Sequence, residues 1–305
     1  MAGSRRPSAT RYQSSWEAPG RRAGRPYESE RPRRRPVVRY ELMRPDEVAD
    51  ARRRTPVAYV PLGPLEWHGP HLPLGLDPLH AHEVALRAAR EVGGVVLPAL
   101  FAGTETVRPA GPGPQSLATL GLPPDVRVVG MDFPGNPVSS TYIEESAFGV
   151  IVRELVRNLL EAEFRVVVLV NGHGAVNHQA ALRRIAAETD RPPSQRVVYH
   201  LAFLPDPDAR GPGHAAREET AIALGLFPER VRTDLLPPPG APLYYAEHGI
   251  VDAPAFDGHP SPDFALPQDE HPRTATPEQG ASILEAEGRA LARSVRELVT
   301  SLPTG

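Results

Sequence analysis

Between Pro61 and Ala85 the sequence reads PLGPLEWHGPHLPLGLDPLHAHEVA, which sets His68, His71, His80 and His82 close to Glu66 and Asp77. Imidazole and carboxylate are the side chains that hold divalent cations and carry protons near neutral pH. Two further clusters of the same kind follow, NGHGAVN around His173 and GHAAREET with His214 and Glu219. Each is weak alone, because a loop histidine is more often a surface residue than a ligand. Three of them in a chain with only 11 histidines point to a shared centre. In Glu66-Trp67-His68 an extended backbone turns side chains 66 and 68 to one side. A bend at Gly69 and Pro70 then lets Asp77 return towards them.

These clusters need elements that bring them together. TPVAYVPLG and FRVVVLV read as buried strands, the second apolar throughout, as expected for a strand covered on both faces. GGVVLPAL, VRVVGMDF and RVVYHLAFL read as further strands. TYIEESAFGVIVRELVRNLLEAE is helical, with Ile143, Phe148, Ile151, Val152 and Leu155 along one side. NHQAALRRIAAETD, AREETAIALGL and PEQGASILEAEGRALARSVRELV complete the helices. The alternation predicts an α/β fold with a mostly parallel sheet and helices on both faces. In such sheets ligands bind beyond the carboxyl ends of the strands. All three polar clusters fall at such ends or just after them.

Composition removes several chemistries. The 305 residues include no cysteine, so disulfides, thiolate metal sites and a cysteine nucleophile are excluded. All 34 basic residues are arginine, which excludes a lysine Schiff base or lysine general base. A net charge of −3 gives no case for nucleic-acid binding. No run of about twenty apolar residues could span a membrane, and a cytoplasmic location is expected. Residues 1–36, rich in Arg, Ser, Pro and Gly, read as a disordered tail. The globular domain is expected over 37–305, with 103–126 and 234–272 as long covering loops.

The motifs also resemble those of the creatininase (creatinine amidohydrolase) family. PLGPLEWHGPHLPLGLD is similar to its G-S-x-E-Q-H-G-P-H-L-P-L-x-T-D signature, VNGHGAVN to N-G-H-G-G-N, and HAAREETA to H-A-G-E-x-E-T-S. HPRTATPEQG is similar to a C-terminal G-x-P-x-x-A-T-x-E-x-G pattern, and the matches run in family order from about Val57 to Gly280. The resemblance implies a three-layer α/β/α fold, metal-dependent hydrolysis of an amide-like C–N bond in a small molecule, and homo-oligomers. Residue by residue, it implies metal ligands at Glu66, His68, Asp77, His173 and Glu219, with Asp77 bridging if two ions bind. His214 corresponds to a proton-transfer residue, and Glu219 shares the catalytic site. Asn171 and Asn177 are expected to brace the turn around His173. One or two divalent ions per subunit (zinc, manganese or iron) fit these residue types equally.

The chain departs from that pattern at Pro64, Trp67, Leu76, Ala175 and Arg217. Ala175 replaces a glutamate, and the stretch DARGPG just before His214 holds no tryptophan, so creatinine itself is not the expected substrate. Trp67 reads as core and His71 as a residue that holds its loop by hydrogen bonds. His80 and His82 read as helix-start residues at the rim of the cleft, and Arg108 either as a solvated loop residue or as a contact for an anionic substrate group. The competing expectation is a catalytically silent member of the family that binds a small ligand or protein partner through the same cleft.

Overall fold

A computed structural model of the chain describes residues 38–109, 125, 127–133, 136–204, 213–236, 244–246, 249–251 and 268–303. The Arg-rich stretch 1–36 lies outside the described residues. The strands are β1 (Val57–Gly63), β2 (Val95–Val96), β3 (Leu100–Phe101), β4 (Val107–Pro109), β5 (Arg127–Val129), β6 (Val166–Asn171), β7 (Arg196–Leu201), β8 (Tyr244–Ala246) and β9 (Gly249–Val251). The α-helices are α1 (Pro45–Arg54), α2 (Leu76–Val92), α3 (Glu145–Glu161), α4 (Val176–Thr189), α5 (Arg217–Leu226) and α6 (Pro277–Ser301).

The central sheet is parallel, in the order β2-β1-β6-β7, with β3 pairing β1 further along the edge that β2 occupies. Alternate residues of β1 and β6 enter opposite layers, as strand geometry requires. Val57, Tyr59, Val166, Val168 and Val170 pack with α2, α5 and α6 through residues such as Val84, Ile222, Leu284 and Leu291. Ala58, Val60, Leu62, Val167 and Leu169 pack with α3 and α4 through Phe148, Val152, Leu182 and Ile185. This is the three-layer α/β/α arrangement expected from the alternation of elements. Burying both faces is why β1 and β6 read as unbroken apolar runs.

Local signals place the helix ends. Thr276 caps α6 by accepting the Gln279 N–H at 3.2 Å, while Gln279 accepts the Thr276 N–H at 3.0 Å and Pro277 opens the helix. Glu144 caps α3 in the same sense through the N–H groups of Ser146 and Ala147. The VRVVGMDF strand exists only as β5, and it stays out of the main sheet. It pairs antiparallel with β4, and the two form a ribbon after β3. Of the stretches expected as loops, 103–126 carries β4 and 234–272 carries the β8–β9 ribbon, and the greater part of each lies outside the described residues. Among the described residues no helix is long and apolar enough to cross a membrane.

Candidate metal centre

In the sheet register Leu62 stands beside Asn171 and Asn171 beside Leu201. β1, β6 and β7 therefore end at one level, and the segments leaving them meet above it. The loop after β1 brings Glu66 and His68, and closes through the Glu66 N–H donating to Leu74 O at 2.9 Å. Asp77 sits in the first turn of α2, where the helix dipole favours a carboxylate. His173 follows β6. His214 precedes α5, and Glu219 lies in its first turn.

Two glycines let α2 come this close. A Cβ on Gly63 would stand 2.8 Å from Asp77 Cβ and 3.0 Å from Pro78 N. One on Gly172 would stand 2.7 Å from the Asp77 carbonyl carbon and closer still to its oxygen. The ends of β1 and β6 thus form a floor without side chains, on which the Asp77 turn rests.

The six predicted site residues converge. Asp77 is placed between two histidines: its Oδ1 is 3.0 Å from His68 Nε2 and its Oδ2 is 2.9 Å from His173 Nδ1. Glu219 Oε2 lies 3.7 Å from His68 Nε2, and Glu66 Oε2 lies 3.2 Å from His173 Nδ1. Two donor groups therefore share Asp77: Glu66, Asp77 and His173, and His68, Asp77 and Glu219, with the donor atoms of each within 4.8 Å of one another. A third group joins Glu66, His68 and His214. Glu66, Asp77 and Glu219 are each 6% exposed or less.

The hydrogen bonds fix which atoms face the centre. His68 Nδ1 donates to Glu66 O at 3.0 Å, so Nε2 is the ring nitrogen that faces the carboxylates. That Nε2 is buried without a well-directed hydrogen bond, despite Asp77 beside it. His214 Nε2 donates to Trp67 O at 2.5 Å, and its Nδ1 is 3.9 Å from both Glu66 and Glu219. Glu219 Oε2 accepts the N–H of Ala215, which holds a left-handed φ of 56°. Backbone of that kind stores about 1–2 kcal/mol in a non-glycine residue.

Charge is the dominant fact of the site. Burial alone would lower the His68 imidazole, but Asp77 and Glu219 more than offset it and raise its pKa to about 10. The same competition, burial against Glu66, Asp77 and Glu105, holds His173 well above its ordinary value. Burial pushes the carboxyls of Glu66 and Asp77 up, and the neighbouring histidines overcome it and hold both below the usual range. Three buried carboxylates need positive charge beside them. Ring nitrogens that face carboxylate oxygens, with no thiolate, suit a divalent cation such as zinc or manganese once their protons are displaced.

Several expectations are corrected. His80 is not at a rim: it is buried, and its Nε2 lies 2.6 Å from the equally buried Glu287 of α6. His82 is half-buried and belongs to none of the donor groups. Asn171 braces the His173 turn, its Nδ2 donating to His173 O at 2.7 Å and its Oδ1 accepting the His173 N–H at 2.9 Å. Asn177 does not, because it accepts from the Thr106 hydroxyl at 3.2 Å instead. Arg108 ties the ribbon by donating to Gly130 O and lies over the Phe133 ring. His71 does hold its loop, with Nε2 3.0 Å from the Thr220 hydroxyl, and Trp67 is buried.

The sequence reading missed Glu105, Tyr142 and His178. Glu105 Oε2 is 3.4 Å from His173 Nε2, and the Tyr142 hydroxyl donates to Glu66 Oε1 at 2.6 Å. His178 Nε2 donates to Asn171 Oδ1 at 3.0 Å while its Nδ1 accepts the Thr104 N–H at 3.2 Å. Glu105 stands just beyond the carboxyl end of β3, so the strand-end rule extended to that strand would have found it.

The profile of the creatinine amidohydrolase family matches residues 41–295. A creatinine amidohydrolase of Pseudomonas putida is 24% identical over 261 residues, covering 79% of this chain and 89% of that protein. A mycofactocin precursor peptide peptidase of Mycolicibacterium smegmatis (strain ATCC 700084 / mc(2)155) is 28% identical over 187 residues, or 59% of this chain and 62% of the relative. A manganese form of creatininase superposes with a TM-score of 0.57 at 23% identity, over 85% of this chain and 98% of that one. At that identity the superposition speaks for the fold. Profile, architecture and strand-end motifs agree: the chain belongs to the creatininase family of amidohydrolases.

Proposed function

We propose that the protein is a metal-dependent amidohydrolase that cleaves a C–N amide bond in a small molecule, and that Glu66, His68, Asp77, His173 and Glu219 hold its divalent ion or ions. The observation that carries this reading is Asp77, each of whose oxygens faces one imidazole and, beyond it, one more carboxylate. A divalent ion bound there supplies Lewis acidity and lowers the pKa of a water molecule towards about 7.

The chain's own groups do the rest. Amide hydrolysis adds a water oxygen to the carbonyl carbon, breaks the C–N bond and returns a proton to the departing nitrogen. In this reading His214 carries that proton on Nδ1, which its Nε2–H bond to the Trp67 carbonyl supports. Glu219 acts beside it, with Oε2 fixed by the Ala215 N–H. Tyr142 anchors Glu66 Oε1, so that Oε2 is the oxygen turned to His173.

For the substrate class, cyclic amides, formamides and peptide bonds remain within this reaction. The two relatives named above, one for creatinine and one for a precursor peptide, span much of that range. The same reading includes a hydrolase domain over 37–305, self-assembly and a cytoplasmic location. The test is metal content by mass spectrometry together with an amide panel, on wild type and His173→Ala. Stoichiometric metal and turnover in wild type, with both lost in a folded variant, support the proposal. Full turnover after chelation refutes it.

A further inference from the structure

We propose that Glu105 is a positioning residue for His173: its carboxylate accepts the Nε2–H of that imidazole and thereby presents Nδ1 to the ion. This rests on His173 being a ligand, as proposed above. A histidine that binds a cation through one ring nitrogen carries a proton on the other, which needs an acceptor. For His173 the geometry assigns the two sides. Nδ1 faces Asp77 Oδ2 at 2.9 Å and Glu66 Oε2 at 3.2 Å. Nε2 is buried without a hydrogen bond, and Glu105 Oε2, at 3.4 Å, is the carboxylate on that side. Only a few tenths of an ångström separate this pair from a good N–H···O distance.

Glu105 is held in place by its surroundings. Its Oε1 accepts the Thr106 N–H at 2.5 Å. On one flank Gly103 O accepts the Ile143 N–H at 2.7 Å and the Thr104 N–H donates to His178. On the other, Thr106 bonds Asn177 through its hydroxyl and Gly130 through its carbonyl. The slot itself depends on Gly130, which has φ 55°. A Cβ there would lie 2.5 Å from the Tyr142 hydroxyl and closer still to Glu105 Cγ. Gly174 and Ala175, which join His173 to α4, carry no polar side chain that could serve as the acceptor. Glu105, in the segment after β3, therefore serves the His173 edge of the centre, while Tyr142, in the segment before α3, serves the Glu66 edge.

The test uses zinc and cobalt(II) on the full chain. In Glu105→Ala, zinc affinity measured against a competing chelator should fall about 10–100-fold, and the visible spectrum of the cobalt form should change. Glu105→Gln keeps an acceptor oxygen and should recover most of both. Affinity and spectrum unchanged in Glu105→Ala overturn the assignment. So does a Gln variant as impaired as Ala, which would make Glu105 a direct ligand. Imidazole 15N shifts of zinc-loaded wild type need no variant: a proton on Nε2 is expected, and one on Nδ1 overturns the proposal. If wild type binds neither ion, the ligand reading of His173 falls with it; if wild type binds and the variants match it, only the role of Glu105 falls.

Discussion

Gly172→Ala offers a quantitative test of how the centre is assembled. The added methyl would stand 2.7 Å from the Asp77 carbonyl carbon, where ordinary contact begins near 3.4 Å. The β6 turn and the α2 turn must therefore part by about 0.7 Å or more, both of them backbone with no side chain that can swing aside. Overpacking of this kind costs about 1–3 kcal/mol, which for a chain of this size lowers Tm by roughly 2–10 °C. The displacement matters more than the cost. Asp77 and His173 sit on opposite sides of the contact, and their 2.9 Å approach widens with it. Metal sites tolerate about 0.5 Å of error, so zinc affinity should fall by about 10²-fold. The assay is chelator competition beside thermal melts with and without EDTA. Gly174→Ala is the control, since a Cβ there meets nothing within 4 Å. Wild-type affinity in Gly172→Ala would refute the idea that these strand ends set the spacing of the donors.

Three further outcomes are expected. Because His68 holds its proton up to about pH 10 in the metal-free site, zinc binding near pH 7 must expel it. Calorimetry in buffers of different ionisation enthalpy should show at least one proton released per bound ion, and apparent affinity should rise with pH across 6–8. Tyr142→Phe removes the 2.6 Å bond to Glu66. It should lower kcat by about 10–100-fold, consistent with roughly 1.5–3 kcal/mol for a hydrogen bond to a charged group, and lower Tm by about 3–10 °C. Glu287→Ala strands a buried imidazole and should destabilise the fold by about 3–5 kcal/mol, whereas His80→Leu with Glu287→Met should recover most of it by chemical denaturation.

Much of this was legible because the signals are local. β1 and β6 announce themselves as apolar runs, and Glu66, His68 and Asp77 lie within one short segment whose motif survives despite Pro64 and Trp67. Strand ends gave His173, His214 and Glu219. What stayed hidden depends on distant partners. His80 looks like a surface histidine until Glu287, 207 residues later, closes over it. Asn177 differs from Asn171 only in what faces it, Thr106 on a separate ribbon. Glu105 sits in a stretch whose periodicity announces no element, and its worth comes from β3 running parallel beside β1. β5 has the composition of a sheet strand, yet it pairs with β4 alone.

The donors come from positions as far apart as Glu66 and Glu219, with β6 and β7 laid down between them. On the ribosome, the first three are synthesised long before the last, and they alone make half of a site. Until α5 has emerged and docked, a nascent chain therefore carries only the Glu66, Asp77 and His173 donor group and lacks the one that Glu219 completes. An ion that binds only this finished arrangement shifts the equilibrium towards the native state and away from every partly folded one. On the proposed reading, metal supply in the cell bears on how much mature protein accumulates as well as on how fast each molecule turns over.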